Sequence, residues 1–346
     1  MFRSIGKFLI GAVIAASTGV THAQTEIKVS YQPALYWSLP FYVASEKGWW
    51  GELGLKATFS TFPAGVPQIA ASASKSWDVG GTGSVPAVLG AARYNLLTIG
   101  LTNDESVGNA LMATKSVADA FMKNPQSIKG QTIVLTANSP GDYAVQSCLG
   151  KWGLKKSDVT IKSMGQAEII SAMSSNNADY GGLWAPNIYT LEEKVGARVI
   201  CSGKDAGAIV PGALIVRADY AKEQPENVAK FLAIYLRTWK WMNAHKAEAI
   251  AMMKKFYEIG GVTIGEASMR KEFDTRPVYD LAGQLKIMNR SGGASDVDKW
   301  MTQIGEFMKG GGTIPEVPAV SGFVTDEYMK MVDRDPKLKA FANNPN

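Results

Sequence analysis

The sequence predicts an α/β protein of two lobes, each a mostly parallel sheet flanked by helices, with a cleft between them. Three observations lead there. Short apolar strands alternate with amphipathic helices from Ile27 to about Leu101, and the alternation restarts near Thr132. Alternation of this kind builds a parallel sheet covered on both faces. A strand-like segment, "ALIVRADY" (213–220), then precedes a long, mostly helical stretch to Phe341. Helices in such number need a sheet to lie on, so this segment is expected to return the chain to the first block. The second block becomes an insertion reached by two crossings, near 102–114 and 205–212, and paired crossings make a hinge. The expected lobes are 24–110 with 212–346, and 111–211.

Each element has its own signal. In the first block "IKVSY" (27–31), "LKATFSTF" (55–62), "WDVGG" (77–81) and "LLTIGL" (96–101) read as strands. "LPFYVASEKGWWGELG" (39–54) reads as one helix closed by Gly51 and Gly54, and "GVPQIAASAS" (65–74) and "VPAVLGAARY" (85–94) as two more. Between strand and helix, Gly80, Gly81, Thr82 and Gly83 read as a bare loop, with Ser84 and Pro86 suited to a helix start. The second block has strands at 132–136, "VTIKSM" (159–164), "ADYGGLWA" (178–185) and "ARVICSG" (197–203). Its helices are expected at 140–152, 166–174 and 186–195. Beyond the return strand, "PENVAKFLAIYLRTWKWMNAH" (225–245) is one long helix.

The first 23 residues read as a secretory signal peptide, not as part of the fold. Arg3 and Lys7 precede an apolar run of 13 residues, Phe8 to Val20, and Thr21 and Ala23 place small residues before a cut ahead of Gln24. Thirteen residues are too few to span a bilayer as a helix. The full chain of 346 residues carries a formal charge of +5, and the segment removes two of its positive charges and no negative one. So small a balance, without a basic run, gives no reason to expect nucleic acid as a partner. Two cysteines, Cys148 and Cys201, in an exported chain permit one disulfide, and two buried thiols that never meet are the alternative.

Enzyme signals are thin. The only histidine after the signal is His245, at the polar end of the long helix, and catalytic triads or zinc sets need more. "SASK" (72–75) lacks the companion motifs of a serine acyltransferase, and Gly81-x-Gly83 meets Pro86 where a dinucleotide loop needs glycine. No catalytic residue, cofactor or metal is expected.

Binding signals are better. "GGTGSVP" (80–86) and "ANSPGD" (137–142) each lead into a helix at the carboxyl end of a strand, where open α/β sheets hold ligands. Helix starts of this kind favour anions. An anionic group is expected on the N–H groups of Ser84 and Val85 and of the loop Ser139 to Gly141, with Asn138 and Pro140 as further ligand-lining residues of that loop. Asp142, three residues after Ser139, either closes a capping box or holds an amine of the ligand. Tyr36, Trp37, Tyr143 and Trp184 stand at strand ends and helix starts and suit a ligand wall. Arg276, in "DTRPVY" (274–279), is the arginine expected at the cleft, with a surface ion pair as the alternative.

In these segments, in order along nearly the whole exported chain, the protein resembles the nitrate/taurine/sulfonate-binding family of ABC importers. The resemblance implies a type II periplasmic-binding-protein fold and a soluble periplasmic monomer. Such a protein would capture a small organic anion by hinge closure and deliver it to a membrane permease. It also implies ligand contacts at Gln32, Tyr36 and Trp37, at Gly83, Ser84 and Val85, and from Ser139 to Tyr143. Two departures stand out. Amine-binding relatives often carry an acidic residue after the tryptophan of "LWAPN" (183–187), where Ala185 and Asn187 are uncharged here. The second loop reads "SPGDY" (139–143) in place of Ser-Ser-Ala-His-Tyr. A thiamine-precursor (pyrimidine) binder, or a pyrimidine-synthase-like enzyme of the same fold, is the alternative. The single histidine after the signal argues against the enzyme.

Overall fold

The computed structural model describes residues 24–346, so the signal segment expected over 1–23 lies outside the described residues. The first block runs β1 (Thr25–Tyr31), α1 (Leu39–Glu46), α2 (Trp49–Glu52), β2 (Leu55–Thr61), α3 (Gly65–Ala71), β3 (Val79–Gly83), α4 (Ser84–Tyr94) and β4 (Leu96–Asp104). The second runs β5 (Asn109–Ala113), α5 (Lys115–Lys123), β6 (Thr132–Leu135), α6 (Pro140–Lys151), β7 (Thr160–Ser163), α7 (Gln166–Ser174), β8 (Tyr180–Trp184), α8 (Asn187–Val195) and β9 (Arg198–Ser202). The chain then returns through β10 (Pro211–Arg217) and continues as α9 (Ala218–Glu223), α10 (Pro225–Ala244), α11 (Lys246–Ile259), α12 (Glu266–Asp274), α13 (Leu281–Ile287), α14 (Asp296–Gly310), α15 (Glu327–Arg334) and α16 (Pro336–Ala342).

Two five-stranded sheets result, in the orders β2-β1-β3-β10-β4 and β7-β6-β8-β5-β9. In the first, β1 pairs in parallel with β2 and β3, while the returning β10 lies antiparallel between β3 and β4. In the second, β6 pairs in parallel with β7 and β8, and β5 runs antiparallel to β8 and β9. Each sheet is thus mostly a doubly covered α/β sheet with one antiparallel strand brought in by a crossing. β10 is buried along its whole length, as a strand with helices on both faces must be. The second sheet begins at Asn109 and the first resumes at Pro211.

The two crossings are zipped together. Glu105 N–H donates to Val210 O at 2.7 Å, Gly203 N–H to Asn109 O at 3.0 Å, and Lys204 N–H to Ser106 O at 3.0 Å. Two such strips side by side bend together, which makes them a hinge.

Three local readings are corrected. The helix expected over 39–54 is two, because Gly48 adopts φ +74°, a left-handed turn that no helix continues through. The glycine run is not a loop: Gly80, Gly81 and Gly83 are all in β3, and α4 starts at the next residue. β5 and α5 were hidden in the first crossing, since "NALMA" is short and its strand identity comes only from pairing with β8 and β9.

The long α10 carries the first lobe's outer layer, burying Phe231, Tyr235 and Trp239 beside α1, α15 and α16. Pro225 opens it, where a missing N–H costs nothing.

Candidate functional site

The site starts from the reason for the glycines. A Cβ built on Gly81 would lie 2.2 Å from the Trp37 carbonyl oxygen, and one on Gly83 would lie 2.3 Å from Pro140 Cγ and 3.1 Å from the Trp37 ring. The Trp37 backbone packs on Gly81, and the Pro140 and Trp37 rings pack on Gly83, so a side chain is excluded at either glycine. Because Pro140 opens α6 of the other lobe, the two lobes touch at Gly83, and the start of α4 faces the start of α6.

The two helix starts differ. No side chain caps α4, and no acid lies in its first turn. Ser84 Oγ and Trp37 Nε1 are both buried and have no hydrogen-bond partner among the described residues. α6 is closed by its own residues. Ser139 Oγ accepts from Asp142 N–H at 3.2 Å and donates to Thr136 O at 2.6 Å. Asp142 Oδ2 accepts from Asn138 N–H at 3.0 Å, and Oδ1 from Gln146 Nε2 at 2.7 Å. Burial pushes the Asp142 carboxyl up, against the pull of those hydrogen bonds. Asp142 thus bonds within its own helix start, to the backbone one residue before the cap Ser139. Across the lobe boundary, Asn138 Oδ1 accepts from Thr313 Oγ at 2.8 Å, and the Tyr143 ring lies 5.0 Å from that of Phe307.

Beside this contact runs a cleft of about 640 Å³. Gln32, Pro63 and Ala64 line it from the first lobe, and Thr136, Gln166, Trp184 and Asn187 from the second. Gln166, which sequence reading passed over, organises the second wall. Its Nε2 donates to Thr136 Oγ1 at 3.1 Å, and its Oε1 accepts from Asn187 Nδ2 at 3.2 Å and Trp184 N–H at 3.4 Å. Gln32 donates to Gln68 Oε1, and Gln68 in turn donates to Ser30 Oγ at 2.8 Å and Gly81 O at 3.1 Å. Gln32 is therefore held by the glycine strand itself.

Tyr36 and Arg276 are both buried in the first lobe. Tyr36 is fully buried, stacked on Trp239 at 4.9 Å, and its hydroxyl donates to Glu272 O at 3.0 Å. Burial drives its phenol well above the usual range. Arg276 is not in a surface ion pair. It is buried, paired with Glu272, and its guanidinium carbon sits 4.0 Å over the Tyr36 ring. A Cβ on Gly108 would stand 2.8 Å from Arg276 Nη1, so this arginine braces the first crossing from inside. Pro277 O accepts from Asp104 N–H at 3.4 Å and ties the segment to the end of β4.

Sequence reading also missed the partners of that arginine. Glu272 and Glu105 are fully buried, and neither Glu105 oxygen has a partner, nor does Asn109 Oδ1. Burial pushes the Glu105 carboxyl up to about 8, although Arg276 pulls it down. Nothing in "TNDESVGN" (102–109) marks which acid is interior.

Cys148 of α6 and Cys201 of β9 form a disulfide. His245 stacks on Trp241 at 4.9 Å, as packing. No group of three His, Cys, Asp or Glu suited to a metal gathers among the described residues. No helix among them is long and apolar enough to cross a membrane.

Two α/β lobes joined by paired crossings over a cleft have the architecture of the type II periplasmic-binding proteins. A family model described as NMT1/THI5 like matches residues 37–249, more than half of the chain, and the protein belongs to that family. A putative aliphatic sulfonates-binding protein of Bacillus subtilis is 27% identical over 248 residues, covering 70% of this chain and 73% of its own. The periplasmic aliphatic sulphonate binding protein SsuA of Escherichia coli superposes with a TM-score of 0.72 at 18% identity, over 88% of this chain and 99% of its own. SsuA of Xanthomonas axonopodis pv. citri, the alkanesulfonate-binding protein solved bound to MOPS, gives 0.72 at 19%, over 87% and 98%.

Proposed function

We propose that the protein is the periplasmic solute-binding component of an ABC importer and captures a small organic acid by hinge closure. In this reading the moving units are residues 24–110 with 212–346, and 111–211, and the protein works as a monomer that docks transiently on a membrane permease. It binds and releases its ligand without chemical change. The observation that carries the reading is the uncapped start of α4, with Ser84 Oγ and Trp37 Nε1 buried and unpartnered at the interlobe contact. Unpartnered donors of this kind cost stability unless a ligand or water accepts from them. The acidic group goes to Trp37, Ser84 and Val85, and the ligand body lies against Gln32, Trp184 and Asn187. The names of the relatives, which bind sulfonates, support an acid over the pyrimidine alternative.

Only the closed state brings both walls to the ligand, so binding favours closure. The test is a thermal-shift screen of the purified protein against small sulfonates and carboxylates, followed by small-angle scattering. A ligand at 100 times its dissociation constant adds about 2.7 kcal/mol to stability. A hit that stabilises the protein and shrinks its radius of gyration supports the reading. A hit that leaves the radius unchanged removes hinge closure.

A further inference from the structure

Glu105 is the buried group that packing alone does not explain. Its backbone is fixed on both sides: N–H donates to Val210 O at 2.7 Å, and its carbonyl accepts from Gly108 N–H at 2.9 Å and Asn109 Nδ2 at 3.1 Å. Its carboxyl has no exposure and no partner for either oxygen. An acceptor left so is costly, and retaining it calls for an occupant that donates.

The sheet register says where that carboxyl lies. Gly212 of β10 stands directly opposite Gly83 of β3, and opposed residues of an antiparallel pair share a face, with Cβ positions about 5 Å apart. A Cβ on Gly83 would meet Pro140 and the Trp37 ring, and one on Gly212 would lie 2.4 Å from Glu105 Oε1. The carboxyl is therefore on the interlobe side of the first sheet, one strand away from Trp37 and Pro140. Asn109, in turn, is opposite Trp184 in the β5–β8 pair and presents its side chain on the face that Trp184 uses at the cleft. Its Oδ1 is also without a partner. Of the nine buried side-chain atoms without partners among the described residues, six belong to Trp37, Ser84, Glu105, Asn109 and Arg276.

Charge points the same way. The groups facing Glu105 are Arg276, Glu272, Asp104 and the Tyr235 phenol. Arg276 is already paired with Glu272, so two fully buried carboxyls share one guanidinium. One added cation would balance the set.

From this convergence we infer that Glu105 and Asn109 form an acceptor subsite for a protonated amine on the ligand, which is then a small zwitterion with its acidic end at Trp37 and Ser84. The inference rests on the solute-binding reading above and names the substrate class of that site. Near neutral pH the empty protein holds a proton on Glu105, because burial sets its carboxyl at about 8. Arrival of an ammonium favours the ionised carboxylate, so binding expels that proton to solvent, and affinity rises as pH climbs from about 6 to about 8.

The test uses matched pairs that differ only in the amine: 2-aminoethanesulfonate against ethanesulfonate, and 3-aminopropanoate against propanoate. In calorimetric titration the amine-bearing member of a pair should bind the wild type about 10- to 150-fold tighter, the range of a charge-assisted hydrogen bond. Its binding heat at pH 7 should vary with the ionisation heat of the buffer, which reports proton release. Glu105→Gln should bring the two members of a pair within about 3-fold and abolish the buffer dependence, while melting no lower than wild type when empty. Equal binding of both members by the wild type, no proton release, or discrimination retained in Glu105→Gln each overturns the subsite while leaving the solute-binding reading standing. If the variant fails to fold, the pairs and the buffer dependence in the wild type still decide. Failure of every sulfonate and carboxylate to bind overturns both.

Discussion

The two walls of the cleft are built on opposite principles. The first lobe leaves polar atoms open: α4 is uncapped, and Trp37 Nε1, Ser84 Oγ and both Glu105 oxygens lack partners. The second lobe satisfies its own, with the exception of Asn109 Oδ1. Ser139 and Asp142 close α6, Gln166 ties Thr136, Trp184 and Asn187 together, and a disulfide pins α6 to β9. A wall with open donors can hold a ligand before the cleft shuts. A wall already satisfied closes as a rigid cover, with the side-chain entropy of its residues spent in folding and not in binding. Under the proposed function, this difference gives first capture to the first lobe.

Mutations that probe this contrast differ in size. Arg276→Ala, in the first lobe, should destabilise the empty protein by about 3–5 kcal/mol, since it leaves Glu272 buried without its cation. An unchanged denaturant midpoint would mean that the brace under the first wall is dispensable. In the second lobe, reduction of Cys148–Cys201 opens a crosslink with a sequence separation of 53. Chain entropy puts the loss at about 4 kcal/mol at most. Chemical denaturation with and without reductant measures it, and proteolysis should then begin in residues 109–202, not in the first sheet.

The serines separate capture from cover. Ser139→Ala removes the α6 cap and should cost about 1 kcal/mol of stability. Ser84→Ala removes a hydroxyl that caps nothing and has no partner. Its melting temperature should stay level or rise, while a ligand bonded to that hydroxyl binds about 2- to 12-fold more weakly. Equal effects of the two serines on melting would erase the proposed contrast. The smallest effect is at Asp142. Its raised carboxyl contributes stability that is full below the ordinary aspartate range and is lost as pH rises through the folded value. Asp142→Asn keeps an acceptor for Asn138 N–H, so stability at neutral pH should change by about 1 kcal/mol or less. Melting curves between pH 4 and 7 should be flatter than those of the wild type.

Much of the architecture was legible because periodicity is local. The helix expected over 166–174 is α7, residue for residue, and the long helix expected from Pro225 is α10. Each rests on a spacing of apolar residues and a start signal within one stretch of chain. β5 was not legible, because five residues, four of them apolar, become a strand only when β8 and β9 flank them.

For the site, sequence alone determined the helix starts at Ser84 and Pro140 and the aromatic neighbours Trp37 and Trp184, since residue type and position after a strand are written in order. It could not say that the strand runs on to Gly83, or that Gly81 and Gly83 are pressed against Trp37 and Pro140, because closeness across 40 or more positions leaves no local trace. Nor could it tell that Asp142 serves its own helix, that Tyr36 and Arg276 turn inward, or that Glu105 carries the unpartnered carboxyl at the hinge. An acid on a crossing reads the same whether it faces water or the interior. Tertiary packing decides which, because burial and the choice of partner set a carboxyl's charge.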